Sequence, residues 1–214
     1  MVMTASLLPN GRHGRFSVAT LYLLLATPAA RSWLEASMTG HMLLQIPLLT
    51  AIGIVSSRLL LERWQNALLA AVGGAIPCVL TALFVSSYWM LPRALDAALA
   101  SPLVETAKFL SLPMLVGLPL GLAWKRLHVI GRGFVWTNFI SMLAVLGWLY
   151  IVAPVRLCNN YLVDQQGQAG WWMVKLALLL FAWWLGNLFV GDSSAAGEPG
   201  TASQDVNQSH TKLA

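Results

Sequence analysis

Ser37 to Ser57 reads SMTGHMLLQIPLLTAIGIVSS. Coiled as a helix, Met38 to Ser57 is about one bilayer core in length, since roughly 20 apolar residues are needed to cross it. Its one ionisable side chain is His41, close to the front end. Met38, His41 and Met42 are spaced three and four apart, which puts them on one helical face. Imidazole and thioether are ligands that a soft metal such as Cu(I) accepts. Methionine is also a common packing residue, so the face has a plainer account as core.

Composition extends the membrane reading to the whole chain. Of 214 residues, 57% are hydrophobic and 10% charged, with mean hydropathy +0.68. A soluble domain carries about 25% charged residues, so this chain cannot cover a water-facing surface. The ten tryptophans suit interfacial belts. The net charge of +5 sits mostly in short loops and does not indicate nucleic acid. Two cysteines make no disulfide framework. Cys78 falls within an apolar run and Cys158 in a loop, so a bridge between them is not expected.

The fold class is therefore all-α, a polytopic bundle of about six transmembrane helices. The spans are expected at Phe16–Ala30, Met38–Ser57, Asn66–Leu91, Ala97–Trp124, Phe134–Ala153 and Gly170–Val190. Residues 1–15 form an N-terminal tail, 16–190 the membrane domain and 191–214 a disordered tail. The first 30 residues carry some features of a signal peptide, but the late apolar run favours a retained span. Arg12, Arg15, Arg58, Arg63, Lys125, Arg126, Arg132 and Lys212 fall on one side, eight cations against three (Arg31, Arg93 and Arg156) on the other. The positive-inside bias then places both termini in the cytoplasm of a bacterial cell, in its inner membrane.

With that topology the unusual residues gather in one layer at the outer face. Met38, His41 and Met42 open the second span, and Met90 closes the third. Glu105 and Lys108 lie three apart in the fourth, where charges in hydrocarbon usually pair and face the interior. The expectation is an ion pair between them, supporting a site or a proton path. Cys158 lies in the loop before the last span. Asp164 and Gln165 precede Gly167 and Gly170 and read as a turn into a helix N-terminus. Met173 and Lys175 follow, the lysine as a snorkelling anchor. Pro113, Gly117, Pro119 and Gly121 read as helix-packing positions, as do Pro47, Gly73, Gly74 and Pro77. No enzyme motif is present: there is no GxSxG, P-loop or HExxH, and a catalytic role is not expected.

The HM pair at His41–Met42 and the run DQQGQAGWWM from Asp164 to Met173 resemble the CtaG-type membrane proteins associated with assembly of caa3-type cytochrome c oxidase, as a divergent member. Where the family continues HMxxHM, this chain has HMLLQI, with Gln45 in place of the second histidine. The resemblance implies an inner-membrane assembly factor for a haem-copper oxidase that presents copper at the periplasmic face. Its partners would be the lipid bilayer and oxidase subunits. Met38, His41, Met42, Cys158 and Met173 are the metal-ligand candidates. The alternative is a small transporter or channel subunit with Glu105 and Lys108 on its path.

Overall fold

Prolines and glycines decide where the apolar runs of this chain break. The structure, a computed structural model, describes residues 11–193. Of the expected tails, 1–15 and 191–214, residues 1–10 and 194–214 lie outside the described residues, whereas 11–15 belong to a helix, Gly11–Ala26, and 191–193, expected to be disordered, continue the helix Val163–Ser193. Among the described residues all secondary structure is helical. Four helices are long and apolar enough to cross a membrane: Gly40–Leu59, Pro102–Trp124, Val129–Val152 and Val163–Leu188. The chain is an all-α, membrane-embedded bundle.

Among the described residues the span count is four, or five with one bent pair, against the six expected. The reasons are local. Helix α1, Gly11–Ala26, stops at Thr27–Pro28, and its apolar part, Gly14–Ala26, is shorter than the four spans. Pro28 opens α2, Pro28–Glu35, with the Thr27 hydroxyl accepting from the Ala30 amide. A proline ring fits a first helical turn but not an interior one.

The expected third span is two helices, α5 (Glu62–Val72) and α6 (Ala75–Trp89), bent by 75°. Gly73 and Gly74 have φ of 93° and 109°, a region glycine enters without a Cβ penalty. Their role is backbone conformation rather than the helix packing expected for them. Ahead of the fourth span a separate helix, α7 (Pro92–Ala100), ends at an extended Ser101. The span itself starts at Pro102. The last two spans begin earlier than expected, as α10 (Val129–Val152) and α11 (Val163–Ser193).

The second span is α3 (Met38–Gly40), a π turn (His41–Gln45) and α4 (Ile46–Leu59). The fourth repeats that plan with α8 (Pro102–Ser111), a π turn (Leu112–Gly117) and α9 (Leu118–Trp124). Each π turn closes directly before a proline. The Ile46 amide bonds to the His41 carbonyl ahead of Pro47, and the Leu118 amide to the Pro113 carbonyl ahead of Pro119. Proline offers no N–H and its ring crowds the carbonyl four residues back, so the ladder slips by one residue.

These two spans cross at Gly53 and Gly117. A Cβ built on Gly117 would lie 2.7 Å from the Gly53 Cα, so only glycine at both positions permits this approach. One turn on, Gly121 meets Ser57. The packing reading of Gly117 and Gly121 is thus correct. A second close crossing joins α10 and α11, where a Cβ on Gly147 would lie 2.8 Å from the Gly170 carbonyl oxygen.

Candidate functional site

At one end of the bundle the His41–Gln45 π turn and α8 meet α2 and the α10–α11 loop. The Lys108 side chain is fully buried there. An ammonium has three protons and no acceptor, and each proton has a partner. Lys108 Nζ donates to Glu35 Oε1 at 2.9 Å, to Gln45 Oε1 at 2.9 Å and to His41 Nε2 at 3.0 Å. Gln45 Nε2 donates to the same Glu35 oxygen at 2.9 Å.

The rest of the cluster follows from donor and acceptor roles. His41 Nε2 accepts from the ammonium, so the ring proton sits on Nδ1 and points to the Tyr161 hydroxyl at 3.0 Å. Tyr161 then donates to the Glu35 backbone carbonyl at 3.0 Å. His41 is held as the neutral Nδ1–H tautomer between a cation and a hydroxyl. Every group is satisfied, the condition under which a buried polar network is stable.

The Glu35 carboxyl is 13% exposed. Its burial raises the pKa, but hydrogen bonds from Lys108 and Gln45, with the Lys108 and His41 charges, outweigh this and hold it below the ordinary value. Burial pushes the Tyr161 hydroxyl upward, and Glu35, Cys158 and Asp96 add to the shift.

The expected Glu105–Lys108 pair does not form. Their spacing on α8 is right, but each reaches to α2 instead. Lys108 pairs with Glu35, and Glu105 pairs with Arg31. Arg31 and Glu35 are one turn apart on α2, so two ion pairs clamp this short helix onto α8. The Arg31 guanidinium also lies 5.8 Å from the Phe109 ring centre and the Lys108 ammonium 5.5 Å from it. A cavity of about 180 Å³ beside the Arg31–Glu105 pair is lined by Tyr22, Thr106 and Phe109 among others.

The metal-ligand candidates are all deeply buried: Met38, His41 and Met173 at 0%, Met42 and Cys158 at 1%. The methionines and Cys158 belong to one core cluster. For a copper ion the set is a poor fit, because both ring nitrogens of His41 are already engaged, one of them by a fixed cation. Cys158 is a free thiol. Burial first, then the Asp96 carboxylate, push its pKa up to about 12, so it is a thiol and not a thiolate ligand at neutral pH.

Asp164 is exposed in the first turn of α11 and Gln165 is half-buried. An acidic side chain at that position complements the helix dipole. Both lie inside the helix and not in a turn before it, and their neighbour Gln166, 2% exposed, holds the loop that precedes it. Its Oε1 accepts from the Leu157 amide at 2.9 Å, and its Nε2 donates to the Tyr150 and Val155 carbonyls, each at 3.4 Å. Asp96 ties down the same loop through the Asn159 and Asn160 amides. Lys175 is exposed, with its ammonium 5.0 Å from the Trp172 ring centre, in keeping with an anchoring role.

Three members of the cluster, Glu35, Gln45 and Tyr161, and the neighbouring clamp residue Arg31 escape the sequence reading as site residues. Gln45 carried a usable signal, an amide one turn beyond His41 on the same face. Glu35 and Arg31 sit in a polar connection whose helix α2 leaves no long apolar pattern.

Fold and site together define a multi-pass helical membrane protein with an ammonium-centred polar cluster at one end of its bundle. Compared with protein-family models, with curated proteins and with solved structures, the chain matches none.

Proposed function

We propose that this protein is a non-catalytic assembly factor for a haem-copper oxidase in a bacterial inner membrane. In this reading the Lys108 end of the bundle faces the periplasm and meets the partner subunits. The saturation of Lys108 is the observation that carries it. All three of its protons are taken by groups of the same bundle. A carrier must open its charged group to water on alternate sides, whereas a docking face needs its elements held rigid. The two clamps through Arg31 and Glu35 supply that rigidity. The HM pair at His41 and the run from Asp164 to Met173 supply the oxidase connection by resemblance, and the distribution of cations supplies the orientation. Copper delivery forms no step of this reading, since His41 offers no open nitrogen.

The test is the oxidase itself. Cells lacking the protein should show a reduced haem absorbance of assembled oxidase in their membranes, restored by the wild-type chain. Full oxidase in those cells would refute the assembly role.

A second reading, a proton-coupled transporter, is favoured by one feature: Lys108, Glu35 and His41 are three ionisable groups in direct contact at the membrane, where such groups mark pathways by default. Proteoliposomes carrying the purified chain should then show proton flux that Lys108→Met abolishes.

A further inference from the structure

A cavity lies toward the other end of the bundle, and no part of the proposed function uses it. It measures about 600 Å³, within the usual range for ligand sites. Its walls come from three places. Short α1 contributes Val18 and Tyr22, α4 contributes Ile52, and the fourth span contributes Pro113 and Met114. Trp64, on α5 beyond the Leu59–Leu61 connection, lines one end.

The cleft has the polarity of a lipid. Its depth is apolar, with Met114 62% exposed. Ile52 to Leu59 on α4 rises about 10 Å, much of the roughly 15 Å of hydrocarbon in one leaflet. Its mouth is basic and aromatic. Arg15 and Trp64 line it, and Arg58 and Arg63, both exposed, flank the lining residues Leu59 to Leu61. The Arg63 guanidinium lies 6.0 Å from the Trp64 ring centre. Glu62 is the one acid in that connection, leaving the mouth with net positive charge.

We infer that this cleft binds one phospholipid with an anionic headgroup, its acyl chain between α1, α4 and the fourth span and its phosphate between Arg58 and Arg63. The inference is independent of the oxidase reading. Basic groups at a membrane surface attract anionic lipid, and each contributes roughly a fivefold change in binding.

Native mass spectrometry of the full chain, released from detergent after exposure to dioleoyl phosphatidylglycerol or dioleoyl phosphatidylcholine, tests this. The wild type should retain one phosphatidylglycerol through activation that strips phosphatidylcholine. Met114→Trp and Ala19→Phe, two independent ways of filling the cleft, should lose the retained lipid while melting like wild type. Arg58→Gln should cut the preference for phosphatidylglycerol about fivefold. Equal retention of both lipids, or retention unchanged in both filled variants, overturns the proposal. So does a dimer peak that the filled variants abolish, which would make the cleft a contact between two copies of the chain.

Discussion

Replacing Lys108 by Met separates two accounts of the same charge. In the structure Lys108 is the donor to Glu35, His41 and Gln45. Its loss leaves His41 Nε2 and Gln45 Oε1 without a donor, each an orphaned buried acceptor at about 1–3 kcal/mol. The Glu35 carboxylate keeps the Gln45 amide and partial contact with water, so its share is smaller. Removing one member of a buried ion pair costs about 3–5 kcal/mol in general, and the bookkeeping here falls in that range. The informative comparison is between two double variants. Glu35→Gln with Lys108→Met removes both charges of the real pair and should recover part of the loss. Glu105→Gln with Lys108→Met should recover nothing and should add the loss of the Arg31 contact. Unfolding free energies in mixed micelles, followed by tryptophan fluorescence, read all three variants against wild type. Recovery in the Glu105 variant and none in the Glu35 variant would falsify the connectivity described here.

Four other outcomes are expected. Stability against acid should hold above pH 4.5, the ordinary carboxyl value, and fall as pH drops through the lower value of folded Glu35; Glu35→Gln should flatten that limb, and an unchanged acid profile in the variant would assign the transition to another group. Gly117→Val should prevent folding because its side chain would meet the Gly53 backbone, whereas Gly167→Ala, with open space around it, should express and melt like wild type. Cys158 should resist maleimide in the folded protein and react on unfolding, because it is 1% exposed and its pKa is about 12; rapid labelling of native protein would contradict its placement. Fused after Lys212, green fluorescent protein should glow and alkaline phosphatase should stay inactive if the cationic loops face the cytoplasm, and the reverse pattern would invert the orientation.

Much of the bundle could be read from apolar runs, because a run of this length has few other ways to satisfy its backbone. The breaks within the runs were harder to read. Gly73–Gly74 sits inside a stretch apolar enough to pass for one span when its two helices are taken together, so averaging hides a change of direction that depends on backbone conformation. The site was half legible. Lys108, His41 and Glu105 stand out because charge and imidazole are rare in hydrocarbon. Their partners do not stand out: Glu35 lies 73 residues from Lys108 and Tyr161 lies 120 from His41, each in a polar connection where such a residue is ordinary. The nearest partner in sequence, Glu105, was the wrong one because α2 brings two opposite charges to α8 at closer range. Gln166 was missed beside Asp164 and Gln165 because only helix phase distinguishes three adjacent polar residues.

Each π turn holds one residue more than an α turn would, and that residue advances everything after it by about 100° around the helix axis. His41 and Gln45 lie within the first such turn, and the Gly53 crossing lies beyond it. The polar cluster and the glycine contact are therefore set to their facing directions separately, by the extra residue. Deleting Leu44, whose side chain is 48% exposed, would remove little packing yet rotate Gly53 away from Gly117 if His41 kept its place. A length change of one residue here should do more harm than most substitutions along the same segment.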